Sequence, residues 1–186
     1  MKLFKDFVNE GKEILPRDDN APKVSLFLGR MAPLHIGHLA IIKEMGDNPI
    51  ILLVKGKDSS NDKKKNPFDA KTQTKWIKMV APHAEVREIS SGFLPKIAAE
   101  LRYEGKELTA VFAGEDRLAS YEKQFKRMTL EPEFEYNIDF KLTKRIASAT
   151  DVRQAIIDDD YNAYKKLMPS KLHSEYKLMQ TLMTDK

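Results

Sequence analysis

The sequence predicts an α/β fold: a doubly wound, mainly parallel five-stranded sheet with helices on both faces. Three observations lead there. Short apolar runs alternate with helical stretches about five times along the chain, as in repeated βαβ units. The run "IILLV" is apolar without alternation, which suits a strand covered on both faces. Two runs, "KVSLFLG" and "LTAVFAG", stop at Gly29 and Gly114, where a strand can give way to a helix.

Taken in order, residues 3–15 set Leu3, Phe4, Phe7, Val8, Ile14 and Leu15 among charges, the pattern of an amphipathic helix docked on the body. "PRDDNAP" reads as a linker, so residues 1–22 form an extension to a domain at 23–186. "KVSLFLG" is the first strand. Helical spacing runs from Ile36 to Met45, and residues 48–56 hold the second strand. A helix follows between Pro67 and Pro82, carrying Phe68, Trp76, Ile77, Met79 and Val80. "AEVREI" is the third strand, and "LPKIAAELRYEG" a helix closed by Gly105. "LTAVFAG" is the fourth strand and "RLASYEKQFKR" a helix. "EFEYNIDF" alternates as a fifth strand would, and the remainder is helical with a break near Pro169.

Composition sets bounds. A chain of 186 residues with 41% hydrophobic and 32% charged residues can bury a real core. No apolar run reaches the ~18 residues a membrane helix needs, and the acid-containing N-terminus is no secretory signal. Without cysteines there are no disulfides or thiolate ligands, and a cytoplasmic location is expected. A net charge of +4 is too mild to imply nucleic-acid binding. The denser "KGKDSSNDKKKNPF" is either a solvated loop or an attractive field for a polyanion such as a nucleotide.

The stretch "GRMAPLHIGHLAII", residues 29–42, carries the chemistry. Ligands of open α/β sheets bind beyond the C-terminal strand ends, and a helix starting near Ile36 turns its first N–H groups toward an anion there. Gly29 and Gly37 permit close approach. His35 and His38, at i and i+3, lie on one side of the first turn. With Arg30 they set three cationic or proton-donating groups around one anion site. Two histidines can also hold zinc, yet cysteine is absent, and His83 and His173 fall on other elements, so no metal site is assigned.

This stretch resembles the "GRFxPxHxGH" signature of the nucleotidyltransferase superfamily, with Met31 in place of phenylalanine. "IASATDVRQAI", residues 146–156, resembles the family's second motif "ISxTxIR" through Ser148, Thr150 and Arg153. "NPF" at 66–68, "VFAGED" and the C-terminal tail are similar to the archaeal-type nicotinamide mononucleotide adenylyltransferases. Departures lie on the acceptor side. Lys71, Thr72 and Gln73 replace a Gly-Glu-Arg segment, so a phosphate-facing arginine is missing, for which Lys71 or a lysine of 63–65 could stand in. Glu115, then Asp116, stands where that branch has asparagine, and its "SxxSH" segment is absent.

The resemblance implies a Rossmann-like nucleotidyltransferase fold with C-terminal helices, and a phosphate of an acceptor attacking the α-phosphorus of ATP with loss of pyrophosphate. It puts His35 and His38 on the triphosphate, with Arg30 orienting the reacting phosphates. Ser148 and Arg153 would bind the β- and γ-phosphates, while Thr150 caps the second helix or holds its loop. Asn66, Phe68, Trp76, Glu115 and Asp116 are candidate acceptor contacts; Trp76 reads more readily as core, and Asp116 equally as a partner of Arg117. Mg²⁺ is the expected cofactor, entering with ATP. Expected partners are a nucleoside triphosphate and a phosphorylated small molecule, with no membrane or nucleic acid and a possible homo-oligomer. The same motifs fit a cytidylyltransferase, a phosphopantetheine adenylyltransferase, or a nucleotide-binding regulator that has lost catalysis.

Overall fold

The computed structural model of the chain describes residues 14–55, 65–128, 130–144 and 146–184. Within them β1 (Lys23–Gly29), β2 (Pro49–Val54), β3 (Glu85–Ile89), β4 (Glu107–Ala113) and β5 (Asp139–Leu142) form one parallel sheet in the order β3-β2-β1-β4-β5. The helices are α1 (Ile36–Glu44), α2 (Ala70–Val80), α3 (Leu94–Tyr103), α4 (Glu115–Lys126), α5 (Ala149–Ile157), α6 (Tyr161–Leu167) and α7 (Tyr176–Thr184). The expected doubly wound α/β architecture is present. Strand order reverses between β1 and β4, which opens a crevice at their C-terminal ends.

Pleating divides the core in two. Val24, Leu26 and Leu28 join Ile50, Leu52 and Val111 on the face covered by α3, with aromatics of α4 and the β5 segment packed against them. Phe27, Ile51, Leu53 and Phe112 join Ile42, Trp76, Ile77, Val152 and Tyr164 on the other face. The register pairs like with like: Leu26 lies opposite Ile50 and Val111, Phe27 opposite Ile51 and Phe112. Burial on both faces explains why β2 reads as unbroken aliphatics.

Helix ends follow local chemistry. The Asp69 carboxylate caps α2 by accepting from Thr72 N at 2.6 Å, which holds its pKa below the ordinary value. Gly105, at φ +69, lets the chain leave α3 in the left-handed conformation.

The fifth strand differs from expectation. Residues 132–134 form a 3₁₀ turn begun by Pro132, and pairing to β4 is confined to Asp139–Leu142. The alternation is real, since Tyr136, Ile138 and Phe140 pack on the core. It reports burial on one side rather than ladder bonds.

The expected helix at 3–15 lies outside the described residues except for Ile14 and Leu15, which are not helical. Ile14 is buried against Ala99, and Arg17 N donates to Glu133 O. The linker is therefore docked. Its anchor is Arg102, an α3 residue only 6% exposed. It pairs with buried Glu107 at 2.8 Å, donates to the carbonyls of Leu15, Phe134 and Glu135, and lies 3.8 Å from the Tyr136 ring centroid. Burial raises the Tyr136 hydroxyl's pKa to about 12. Among the described residues, no helix is long and apolar enough to cross a membrane.

Candidate active site

A cleft of about 1420 Å³ opens at the C-terminal ends of β1, β4 and β5. It joins the starts of three helices, so their first N–H groups and positive dipole ends share one space. Arg30, Lys65, Lys144 and Arg153 line it against two carboxylates, Glu115 and Asp116. That charge balance suits a polyanion.

His35 is the N-cap of α1. Its Nδ1 accepts from Gly37 N at 3.2 Å and His38 N at 3.4 Å, while His38 Nδ1 accepts from His35 N at 3.4 Å. The two rings stack with centroids 3.7 Å apart. A nitrogen that accepts carries no proton, so each neutral ring keeps its proton on Nε2. Burial, and secondarily the neighbouring His35, pushes the His38 pKa well below 6.5. Of the two forms expected there, cationic or proton-donating, His38 takes the second: it is a neutral N–H donor near pH 7, because the rings cap backbone and burial disfavours the charged form.

The glycines serve the protein's own side chains. A Cβ on Gly37 would sit 3.0 Å from the His35 ring and 3.4 Å from Ala147 N. One on Gly29 would meet Met31 Cε at 3.3 Å, and Gly29 is absent from the cleft lining. The bare face of Gly29 accommodates Met31, whose backbone is left-handed at φ +48.

The second motif lies across the cleft. Ser148, buried, caps α5 by accepting from Thr150 N and Asp151 N. Thr150 is therefore not the cap; its hydroxyl accepts from Arg153 Nη2 at 3.2 Å. Arg153 Nη1 donates to Ala32 O at 2.5 Å, tying α5 to the β1–α1 turn. The two motifs thus meet, with Arg30, His35, Gly37, His38, Ser148, Thr150 and Arg153 on one lining.

Other candidates stand elsewhere. Phe68 and Trp76 are core residues packed edge to face at 4.9 Å, and Trp76 Nε1 donates to Glu175. Asn66 is half-buried and outside the lining. Lys71 is exposed and also outside it, whereas Lys65 is within; Lys63 and Lys64 lie outside the described residues. Asp116 and Arg117 form an exposed pair at 3.6 Å, of little energetic weight. Sequence reasoning missed Lys144 and the apolar Leu142 and Ile146 on the same wall. Their signal, a short apolar–basic run just before the second motif, lay beyond the strand expected to end at Phe140.

Mg²⁺ can be tested against this donor set. Among the described residues no group of three or more His, Asp or Glu could hold a metal, but two lining carboxylates are compatible with an ion held mainly by phosphates and water.

Comparison with known proteins agrees with the geometry. A family model described as cytidylyltransferase-like matches residues 26–155. No curated protein matches the sequence. Among solved structures, the chain is similar to a Vibrio parahaemolyticus protein assigned as a nicotinate-nucleotide adenylyltransferase. Identity is 18% and the TM-score 0.56, over 89% of this chain and 97% of that one. It is also similar to Plasmodium falciparum nicotinic acid mononucleotide adenylyltransferase, solved with NaAD and with APC. There identity is 9% and the TM-score 0.55, over 87% of this chain and 97% of the other. At these identities the likeness establishes the fold.

Proposed function

The chain belongs to the cytidylyltransferase-like family, a nucleotidyltransferase branch, and on that premise we propose that it transfers the adenylyl group of ATP to nicotinamide mononucleotide, forming a dinucleotide and pyrophosphate. The observation that carries this reading is the Arg153–Ala32 bond, which holds both phosphate-facing motifs around one basic cleft.

An oxygen of the acceptor phosphate attacks the α-phosphorus in line. The bond from that phosphorus to the β-bridging oxygen breaks, and pyrophosphate leaves. No enzyme nucleophile is required; catalysis consists of positioning two anions and stabilising the charge that develops. Arg30 orients the attacking and α-phosphates. His35 and His38 offer Nε2–H donors toward the triphosphate, and His38 follows charge onto the leaving group. The α5 start and Arg153 hold the β- and γ-phosphates. Preorganised donors of this kind contribute ~3–4 kcal/mol each. Mg²⁺ arriving with ATP would find Glu115 or Asp116 as oxygen ligands and would offset charge on the pyrophosphate.

The same two carboxylates favour an acceptor whose base bears an amide over one bearing a carboxylate, because like charges at close quarters repel.

The test is pyrophosphate release over a matrix of ATP and CTP against nicotinamide mononucleotide, nicotinic acid mononucleotide, phosphorylated alcohols and phosphopantetheine. ATP with nicotinamide mononucleotide is expected to be the fastest pair. Turnover with CTP and a phosphorylated alcohol, and none with that pair, overturns the assignment.

A further inference from the structure

We infer that Gln73 is a positioning residue: its side-chain amide clamps the β1–α1 turn so that Arg30 and the histidine pair face the cleft. The inference rests on the transferase reading above and extends it to α2, an element that contributes nothing to the cleft lining.

The turn is difficult to hold. It reverses the chain between Gly29 and His35 through a left-handed Met31, a conformation that a non-glycine residue keeps only when its surroundings impose it. Its carbonyls point into protein, where each needs a donor. Side chains supply them. Gln73 Nε2 donates to Arg30 O at 2.8 Å and to Met31 O at 3.1 Å. From α5, Arg153 Nη1 donates to Ala32 O at 2.5 Å. Three consecutive carbonyls are thus held by side chains of two different helices.

The chemistry suits an amide. One nitrogen with two protons serves two adjacent carbonyls. Gln73 is 1% exposed, and its Oε1 has no partner among the described residues. A buried acceptor left unmade is costly, so an apolar residue would pack more favourably here unless Nε2 were required. The position is also telling. Gln73 falls on the inward stripe of α2 with Trp76 and Ile77, a polar group where the helix otherwise buries carbon.

The test uses the full chain with Gln73→Met, which keeps length and removes the donors, and Gln73→Glu, which presents oxygen to oxygen. The expected result for Gln73→Met is a kcat lower by about 10-fold or more with the triphosphate KM changed less than about 3-fold, because Arg30 and His38 act on the transition state while Ser148 and Arg153 still hold the phosphates. Gln73→Glu is expected to be worse. Hydrogen exchange should quicken at the amides of residues 30–36 and stay unchanged at Ile51 and Leu52, which report an intact sheet. A kcat within about 3-fold of wild type together with unaltered exchange at 30–36 overturns the clamp. Should Gln73→Met fail to fold, Gln73→Arg, which retains N–H donors, decides: near-normal exchange at 30–36 supports the clamp, and exposed amides in a folded protein reject it. Absence of turnover in wild type defeats the transferase reading alone, since the exchange measurement stands without activity.

Discussion

His35 and His38 cap one another: the Nδ1 of each ring accepts the backbone N–H of the other's residue, and the rings lie face to face at an interplanar angle of 20°. Adding a proton to either Nδ1 removes an acceptor from the start of α1 and sets a cation against its neighbour's face. The pair therefore has a preferred charge state, which is neutral.

A pH dependence follows from that preference. The folded-state pKa of His38 lies below 6.5, so the unfolded chain takes up its proton first as pH falls. The stability contributed by His38 is fully present above pH 6.5 and is lost progressively below it. Urea unfolding from neutral to acidic pH should show a steeper loss for wild type than for His38→Gln. Imidazole NMR of the free protein should find His38 titrating below 6.5, and a midpoint at or above that value defeats the prediction.

His38→Ala should lower turnover at least about 100-fold, the range for one lost donor at a site of developing charge. Circular dichroism should remain that of wild type. Near-normal kcat would discredit the donor role.

Gly37→Ala tests the packing of the motif. In an open helix start, alanine is neutral or helpful; here its Cβ would press on the His35 ring at 3.0 Å and approach Ala147 N. We expect a lower melting temperature and a loss of activity comparable to that of a histidine variant. A more stable protein would contradict the close contact.

Arg153→Ala should chiefly raise the triphosphate KM, and because it frees Ala32 O it should also lower kcat modestly. Arg153→Lys restores charge but not the planar fork, and should recover KM only in part. Titration of ATP binding by calorimetry checks both; unchanged affinity in Arg153→Ala rules out the role.

Away from the cleft, Arg102→Met leaves Glu107 buried without its ion-pair partner and releases three carbonyls. The expected cost is about 3–5 kcal/mol. Tyr136→Phe should be neutral or stabilising by about 1 kcal/mol, since the buried hydroxyl has no hydrogen-bond partner among the described residues. Denaturant melts at constant slope separate the two.

Much of the fold was legible because apolar period and turn residues agree. Gly29, Gly105 and Gly114 punctuate it, and β2 could be read from five aliphatics in a row. The β5 segment misled because Phe134, Tyr136 and Ile138 alternate for burial rather than pairing. Both motifs of the candidate site could be read, but their internal bonding could not. His35 resembles a ligand contact in sequence and is also a helix cap in space. Arg102 and Gln73 look like ordinary polar helix residues until their offsets are counted: Arg102 falls four after Ala98, and Gln73 three before Trp76, both on buried stripes. Such residues serve partners far away in the chain, and periodicity alone does not reveal those partners.

The cleft's lining includes residues 27–41 on one side and 142–153 on the other. A piece of the chain that ends before residue 142 therefore carries only one of these two walls. On the proposed function, nucleotide occupancy is consequently a gauge of both walls being in place: ligand at ~100 times its Kd adds ~2.7 kcal/mol to global stability by mass action. ATP bound in that way would protect the assembled cleft from proteolysis while offering nothing to a piece that holds one wall.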